Sequence, residues 1–115
     1  MPWKARHDLG DARAVPLLLA WSAPGKPVGS REEAISAVAA LDKGNQSVTQ
    51  ALLSYLGDSD FDLRLTTIFA LGARGDPSAI GPLEDMRNNQ DLPMGEVPHI
   101  DSVVSILKSR AAASR

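Results

Sequence analysis

The segment from Asp62 to Arg87 constrains the fold most, because its pattern predicts two helices folded back on each other across a Gly-Asp-Pro turn. Its first half is apolar on most sides, which predicts a helix packed between others. Gly75 can end this helix, Asp76 can cap the next one, and Pro77 suits the first helical position, where a backbone N–H is not needed. The segment therefore predicts a helical hairpin whose first helix is largely buried.

Weaker copies of this hairpin occupy most of the chain. The turn sequence from Gly75 to Met86 aligns without a gap with that from Gly10 to Trp21, and a third copy from Asn45 to Leu56 lies about midway between them. Each helix pair can bury its apolar face only by stacking on its neighbours. We therefore predict an all-α fold, a short right-handed α-solenoid of about three antiparallel helix pairs.

The predicted repeats form one domain over residues 1–115. Its parts are a partial first repeat at 2–22, a second repeat at 30–57, a third repeat at 60–88 and a terminal helix at 98–110. Long loops are predicted at 22–29, which is rich in proline and glycine, and at 88–97. Residues 111–115 have nothing to pack against, and we expect them to fray.

Several polar residues have the position of helix caps. Ser30 and Glu33 have the spacing of a capping box, in which each side chain accepts from a backbone N–H at the helix start. Asp11 and Asn45 can each cap the helix that follows, and Gly44 can end the helix before Asn45. The apolar stripes between these caps predict a core made of Ile35, Val38, Leu41, Val48, Leu52, Tyr55, Leu56, Ile80, Leu83, Met86, Ile100, Val103, Val104 and Leu107.

Composition and charge argue against several classes of function. The net charge is −2, so the chain lacks the broad positive field that draws proteins onto nucleic acid. With no cysteine it can form neither a disulfide nor a thiolate metal site. No apolar run approaches the ~20 residues of a membrane span, and the N-terminus lacks a signal-peptide pattern. We expect a cytoplasmic protein that binds neither nucleic acid nor membrane.

The candidate catalytic groups fit no recognised site. His7 and His99 lie far apart and belong to no helical zinc-binding pattern. Glu84 and Asp85 would point about 100° apart on a helix, which indicates a solvated face rather than a paired acid and base. No serine has a general base in a recognisable motif. We therefore predict no catalytic residue, no cofactor and no metal.

The third repeat carries the most specific signature in the chain. It consists of Asp62, Arg64, Ala70, Leu71, Gly72, Gly75, Asp76, Pro77, Ala79, Ile80, Pro82 and Leu83. These residues resemble the short HEAT-like repeats that are typified by phycobilisome bilin lyases and occur in many bacterial proteins. The first repeat matches the signature in its second helix only, and the middle repeat departs from it.

This resemblance implies an armadillo-type superhelix, a bacterial source and a structural role for Arg64, Gly72, Gly75, Asp76 and Pro77. It also implies that Arg and Asp residues such as Arg64 and Asp76 interact near the turns between stacked repeats. The segment from Leu9 to Leu41 is similar to the HEAT-like module that follows the catalytic domain in some bacterial zinc aminopeptidases.

The leading hypothesis is a non-catalytic HEAT-like module that acts as a protein-interaction or structural scaffold, because stacked repeats give extended surfaces rather than deep pockets. Its partner would be another protein or a neighbouring domain of the same polypeptide. The interaction surface is unknown from the sequence, and we expect it on the less regular helices and in the loops. Three alternatives stay open, namely a bilin lyase or isomerase, a DNA-repair binding protein, and a domain of a metallo-aminopeptidase whose catalytic part is absent here.

The partial first repeat predicts that the segment is an accessory domain or fragment of a larger protein. We expect exposed apolar surface at Trp3, Leu17 and Leu18, and with it self-association through incomplete repeat ends.

Overall fold

A computed structural model describes residues 12–89 and 94–113 of the chain. These residues form six α-helices and no strand: α1 (Val15–Ser22), α2 (Val28–Ala39), α3 (Gln46–Tyr55), α4 (Phe61–Arg74), α5 (Ile80–Arg87) and α6 (Val97–Ala113). Single 3₁₀ turns at Ala12–Ala14, Pro77–Ala79 and Met94–Glu96 precede α1, α5 and α6. The predicted cap Asp11, and with it Trp3 and His7, lie outside the described residues.

The helices pack in adjacent pairs as a two-layer stack. Each of α1, α3 and α5 packs on the helix that follows it, while α2, α4 and α6 contact one another in succession. The molecule measures 38 × 36 × 18 Å, and the smallest dimension matches two helices of about 10 Å diameter lying on each other. Helix α4 contacts α2, α3 and α6 and is therefore the central element, as its apolar sequence predicts. The predicted all-α, HEAT-like stack is confirmed.

Two α-helices and one 3₁₀ turn begin at side-chain caps. Asn45 accepts a hydrogen bond from the backbone N–H of Ser47, as predicted, and Asp60 accepts one from Leu63 at the start of α4. Asp76 accepts from Ser78 and so caps the 3₁₀ turn that leads into α5. Gly75 ends α4 with a φ of +74°, a left-handed conformation that glycine adopts without strain.

The capping box predicted at Ser30 and Glu33 is wrong. Helix α2 begins two residues earlier, at Val28, and Pro27 occupies the cap position. The proline ring fixes φ, here −56°, and the chain enters the helix directly after it, which places Ser30 inside the first turn.

The ends of α2 and α6 also differ from their predictions. Helix α2 ends at Ala39 rather than at Gly44, because the carbonyl groups of the following turn are bonded to the side chain of Arg74. Asp42 in that turn takes a φ of +44°. Helix α6 continues through Ala111–Ala113, where we expected fraying, in keeping with the high helix propensity of alanine.

The core is continuous through both layers. Twelve of the fourteen residues in the predicted apolar stripes are buried, and the other two, Ile80 and Met86, are partly buried against the core. Leu18 is also fully buried, which corrects the expectation that it forms an exposed apolar surface, and Leu17 is half-buried against the core. No helix in the described part of the chain is long and apolar enough to cross a membrane.

Gly72 lies where α4 packs tightly against Val103 of α6. A Cβ atom at this position would lie 3.2 and 3.3 Å from the two methyl carbons of Val103. Val103 is β-branched and buried, so it has little room to move aside. Gly81 in α5 has nothing within 4 Å of the corresponding position.

These two glycines make a matched test of the packing. Gly72→Val should lower the free energy of unfolding by about 1–3 kcal/mol, because it overpacks the contact between α4 and α6. Gly81→Val should leave it unchanged or raise it by a few tenths of a kcal/mol, since valine has the higher helix propensity. Urea unfolding of both variants measures the difference, and equal effects would contradict the close contact at Gly72.

Candidate functional site

Arg64 ties α4 to the turn before α6. Its guanidinium donates to the Glu96 carboxylate, with Nε to Oε1 at 3.0 Å and Nη2 to Oε1 at 2.5 Å, and to the backbone oxygen of Asp58 at 2.8 Å. Glu96 is fully buried, and the Arg64 side chain is 14% exposed. The hydrogen bond to Glu96 raises the pKa of Arg64, and burial acts in the opposite direction. Arg64 is therefore held as a cation inside the stack.

The turn from Gly75 to Pro77 makes a separate set of contacts at the other end of α4. Asp76 accepts from the backbone N–H of Ser78 at 2.9 Å and from the Gln46 amide at 3.1 Å, which links this turn to the start of α3. Burial tends to raise the pKa of Asp76, but the hydrogen bonds that its carboxylate accepts lower it overall. A Cβ atom on Gly75 would lie 2.6 Å from Nη1 of Arg110. Arg64 and Asp76 thus act at opposite ends of α4, each near a turn.

Arg74 forms the most extensive set of hydrogen bonds between helices, and its role was not predicted from the sequence. Its side chain lies in the turn between α2 and α3, where Nη1 donates to Leu41 O at 2.9 Å and Nη2 to Asp42 O and Lys43 O at 3.0 Å each. Nη2 also bonds Asn45 O at 3.1 Å, and Nε bonds Thr49 Oγ1 at 3.2 Å. Burial lowers the pKa of Arg74, with the carboxylates of Asp76 and Asp42 partly offsetting it. A single side chain therefore fixes the whole turn to α4.

Arg31 likewise bonds α2 to the end of α1 and to the turn between α3 and α4. Its Nε donates to Ser22 O at 2.9 Å, and its Nη1 pairs with Oδ2 of Asp58 at 2.9 Å. The guanidinium also lies over the Tyr55 ring, 5.2 Å from the centroid. The pKa of Asp58 is lowered, first by the backbone N–H of Asp60 and then by Arg31, against the effect of burial. The guanidinium groups of Arg31, Arg64 and Arg74 thus all bond to residues in or beside the turns.

A shallow apolar groove lies on the outer surface of the layer formed by α2, α4 and α6. It has a volume of about 290 Å³, and we call it the outer groove; its lining residues are Ser36, Ala39, Thr66, Phe69, Ala70 and Ala73. Phe69 forms its most prominent wall and is 48% exposed. The Phe69 ring meets the His99 imidazole of α6 edge-on, with centroids 5.2 Å apart. Ile106, seven residues after His99 and so on the same side of α6, is 45% exposed.

One end of the outer groove is acidic. The carboxylate oxygens of Glu32, Asp60 and Asp62 lie within 4.8 Å of one another, and we call this set the acidic end. Glu32 precedes Ser36 by one helical turn, and Asp62 precedes Thr66 by one turn. Because α2 and α4 both carry their acidic residues before the groove lining, the two helices run in the same direction.

A second groove between α5 and α6 is polar. It has a volume of about 520 Å³ and is crossed by two exposed ion pairs, Arg87 with Asp101 at 2.5 Å and Lys108 with Glu84 at 3.2 Å. Glu84 thus lies on a solvated face, as expected. These charges already have partners and are screened by water, so this groove offers a weaker site than the outer groove.

Comparison with known protein families agrees with the stacked helix pairs. The family described as HEAT repeats matches residues 16–94, well over half of the chain. The chain belongs to the HEAT-repeat family. Searches of curated proteins and of solved structures returned no match. HEAT repeats generally act as protein-interaction scaffolds, and their fold is typically non-catalytic.

Within this HEAT-repeat chain, the outer groove is formed by α2 and by the most regular helix, α4. The sequence predicts an interaction surface on the less regular helices and in the loops at 22–29 and 88–97, so a groove on α4 differs from that prediction. Residues 90–93 of the second loop lie outside the described residues. Trp21 is half-buried against the core, with Lys26 Nζ 5.0 Å from the centre of its ring.

Arg74→Met tests the tie between α4 and the turn before α3. We expect a loss of about 3 kcal/mol in the free energy of unfolding, because the buried carbonyl of Leu41 and the partly buried carbonyl groups that follow it in the turn would lose their donor. Arg87→Met removes an arginine from an exposed ion pair and should have a much smaller effect. Chemical unfolding of both variants measures this difference. Similar losses of unfolding free energy would show that the Arg74 contacts stabilise the fold no more than an exposed ion pair does.

The hydrogen bond from the Asp60 backbone N–H and the ion pair with Arg31 lower the pKa of Asp58, which predicts a pH dependence of stability. Because the folded-state pKa of Asp58 is lowered, its contribution is fully present above the unfolded value of about 3.9 and is lost as the pH falls through the folded value. Asp58→Asn should therefore be less stable than the original chain at pH 7, with a difference that shrinks below about pH 4. Thermal unfolding of both proteins across this range measures the difference, and a difference that stays constant with pH would show that folding does not lower the pKa of Asp58.

Proposed function

We propose that this chain is a non-catalytic scaffold module that binds a partner protein, or a neighbouring domain of the same polypeptide, through the outer groove and the exposed apolar residues beside it. The exposed ring of Phe69 is the observation that carries this proposal. The ring contacts His99 of α6, and Ile106, two turns after His99 on the same helix, is also exposed. Contiguous apolar surface that is exposed often marks a protein-interaction site.

The rigidity of the stack supports the same role. Arg31, Arg64 and Arg74 each bond two or more segments from inside the stack, so the helices that carry the groove are fixed before any partner binds. A surface that is already ordered loses less conformational entropy on binding, which favours affinity.

The narrower alternatives rest on resemblance alone. Attachment to a zinc aminopeptidase is supported by the similarity of Leu9 to Leu41 to its HEAT-like module, and bilin lyase or isomerase activity by the type members of the repeat family. DNA-repair binding would need a basic stripe, whereas the acidic end gives the groove the opposite charge. The scaffold role is therefore the function that we put forward.

Site-specific photo-crosslinking tests this proposal. A benzophenone amino acid in place of Phe69 should crosslink to one defined protein when the chain is expressed in its own cells, and the same group in place of Asp85 should not. Asp85 is a suitable control because it is exposed on α5, in the other layer. Equal crosslinking from both positions, or none from position 69, would contradict an interaction site at the outer groove.

A further inference from the structure

The walls of the outer groove suit an α-helix better than an extended peptide. Both walls are helices, whose backbone N–H and C=O groups bond one another, so the groove has no free backbone edge to which a strand could be added. From Thr66 to Ala73 the lining follows α4 for about 10 Å, or two helical turns. Side-chain ridges of a third helix can pack between two neighbouring helices in such a groove.

The groove surface is apolar and uncharged along this length. Three of its six lining residues are alanines, and Ser36 and Thr66 add only small hydroxyl side chains, so a partner can approach the floor closely beside the Phe69 ring. The volume of about 290 Å³ is open to solvent on one side. It therefore accepts a few apolar side chains projecting from a partner, whereas small-molecule sites usually enclose most of their ligand.

The acidic end supplies a directional charge. Asp62 is exposed and Glu32 is half-buried. Within the described parts of the chain, no Lys or Arg forms an ion pair with either of them. Asp60 is partly engaged, since it caps α4. Three carboxylates beside an uncharged groove are complementary to a partner that is apolar along its length and basic at one end.

We propose that the outer groove binds a short amphipathic α-helix of a partner protein, with its apolar stripe beside Phe69 and its lysine or arginine side chains beside Glu32, Asp60 and Asp62. Because this rests on the proposed scaffold role, it needs a test that is independent of the crosslinking experiment. Charge pairing at an exposed site is screened by salt, so binding should weaken as ionic strength rises.

Two synthetic helical peptides of about four turns provide the probes. Both carry a leucine stripe at helical spacing, and they differ only in having lysines or glutamates at one end. Fluorescence anisotropy with the full chain should show binding of the lysine peptide and at least about tenfold weaker binding of the glutamate peptide. Equal binding of the two, or no binding of the lysine peptide, would overturn the proposal.

Variants of the chain locate the binding site. Asp62→Lys and Phe69→Ser should each weaken binding of the lysine peptide by about tenfold or more. Asp85→Lys, which makes the same charge change on α5, should leave the affinity unchanged. Circular dichroism of each variant checks the fold, and two independent variants keep the test valid if one of them unfolds. Full affinity in folded Asp62→Lys and Phe69→Ser proteins would place the binding elsewhere and refute the proposal.

Other occupants of the groove give distinguishable results. If a second copy of the chain fills it, sedimentation will show a dimer that Phe69→Ser dissociates, and the helix proposal fails. A proline-rich extended peptide that binds more tightly than the lysine peptide would have the same consequence. If position 69 crosslinks to a protein in cells while the lysine peptide does not bind, the scaffold role stands and the amphipathic helix is wrong.

Discussion

The guanidinium of Arg74 fixes the relative positions of three helices, α2, α3 and α4, through hydrogen bonds from a single side chain. It projects from the last turn of α4 into the turn between α2 and α3, and its N–H groups are bonded to main-chain carbonyl oxygens of that turn and to Thr49 in α3. A turn of this kind cannot be fixed by apolar packing, because its carbonyl groups need donors when they are buried. Arg74 supplies these donors and so bonds the turn between α2 and α3 to the central helix, α4.

The remaining ties extend the same arrangement to the rest of the stack. Arg64 with Glu96 joins α4 to the start of α6, and Arg31 with Asp58 joins α2 to the turn before α4. Charged groups are costly to bury unless they are paired, so each of these contacts is specific to one geometry. The lining of the groove between α2 and α4 is uncharged and consists of small side chains beside the exposed ring of Phe69.

Much of the fold could be predicted because its signals are local. The caps at Asn45 and Asp76, the glycine at the end of α4 and the apolar stripes all act within a few residues of one another. The start of α2 could not be found in this way, because Ser30 and Glu33 offered a local pattern that Pro27 overrode. Arg74 was missed for a different reason. Arginine is usually exposed, and only its place on the same helix face as Ala70 and Leu71 signals that it is buried.

The candidate site was harder to predict than the fold. Phe69 belongs to a run of apolar residues, and the sequence of α4 alone does not say which of them faces outward. That depends on how α4 packs against α2, α3 and α6, through contacts that are distant in sequence. The acidic end likewise joins residues from α2 and from the start of α4, which no sequence motif connects. The signature residues of the HEAT repeat indicate how the helices stack. We place the binding site on the surface that stacking leaves exposed.

Native-state hydrogen exchange tests the central claim most directly, since it measures the opening free energy of each helix separately. If Arg74 couples the turn and α3 to the central helix, the slowest amides of α2, α3 and α4 should exchange with the same free energy, as one cooperative unit. If the amides of α3 open with a much lower free energy than those of α4, the Arg74 contacts do not hold the stack together and the account is wrong.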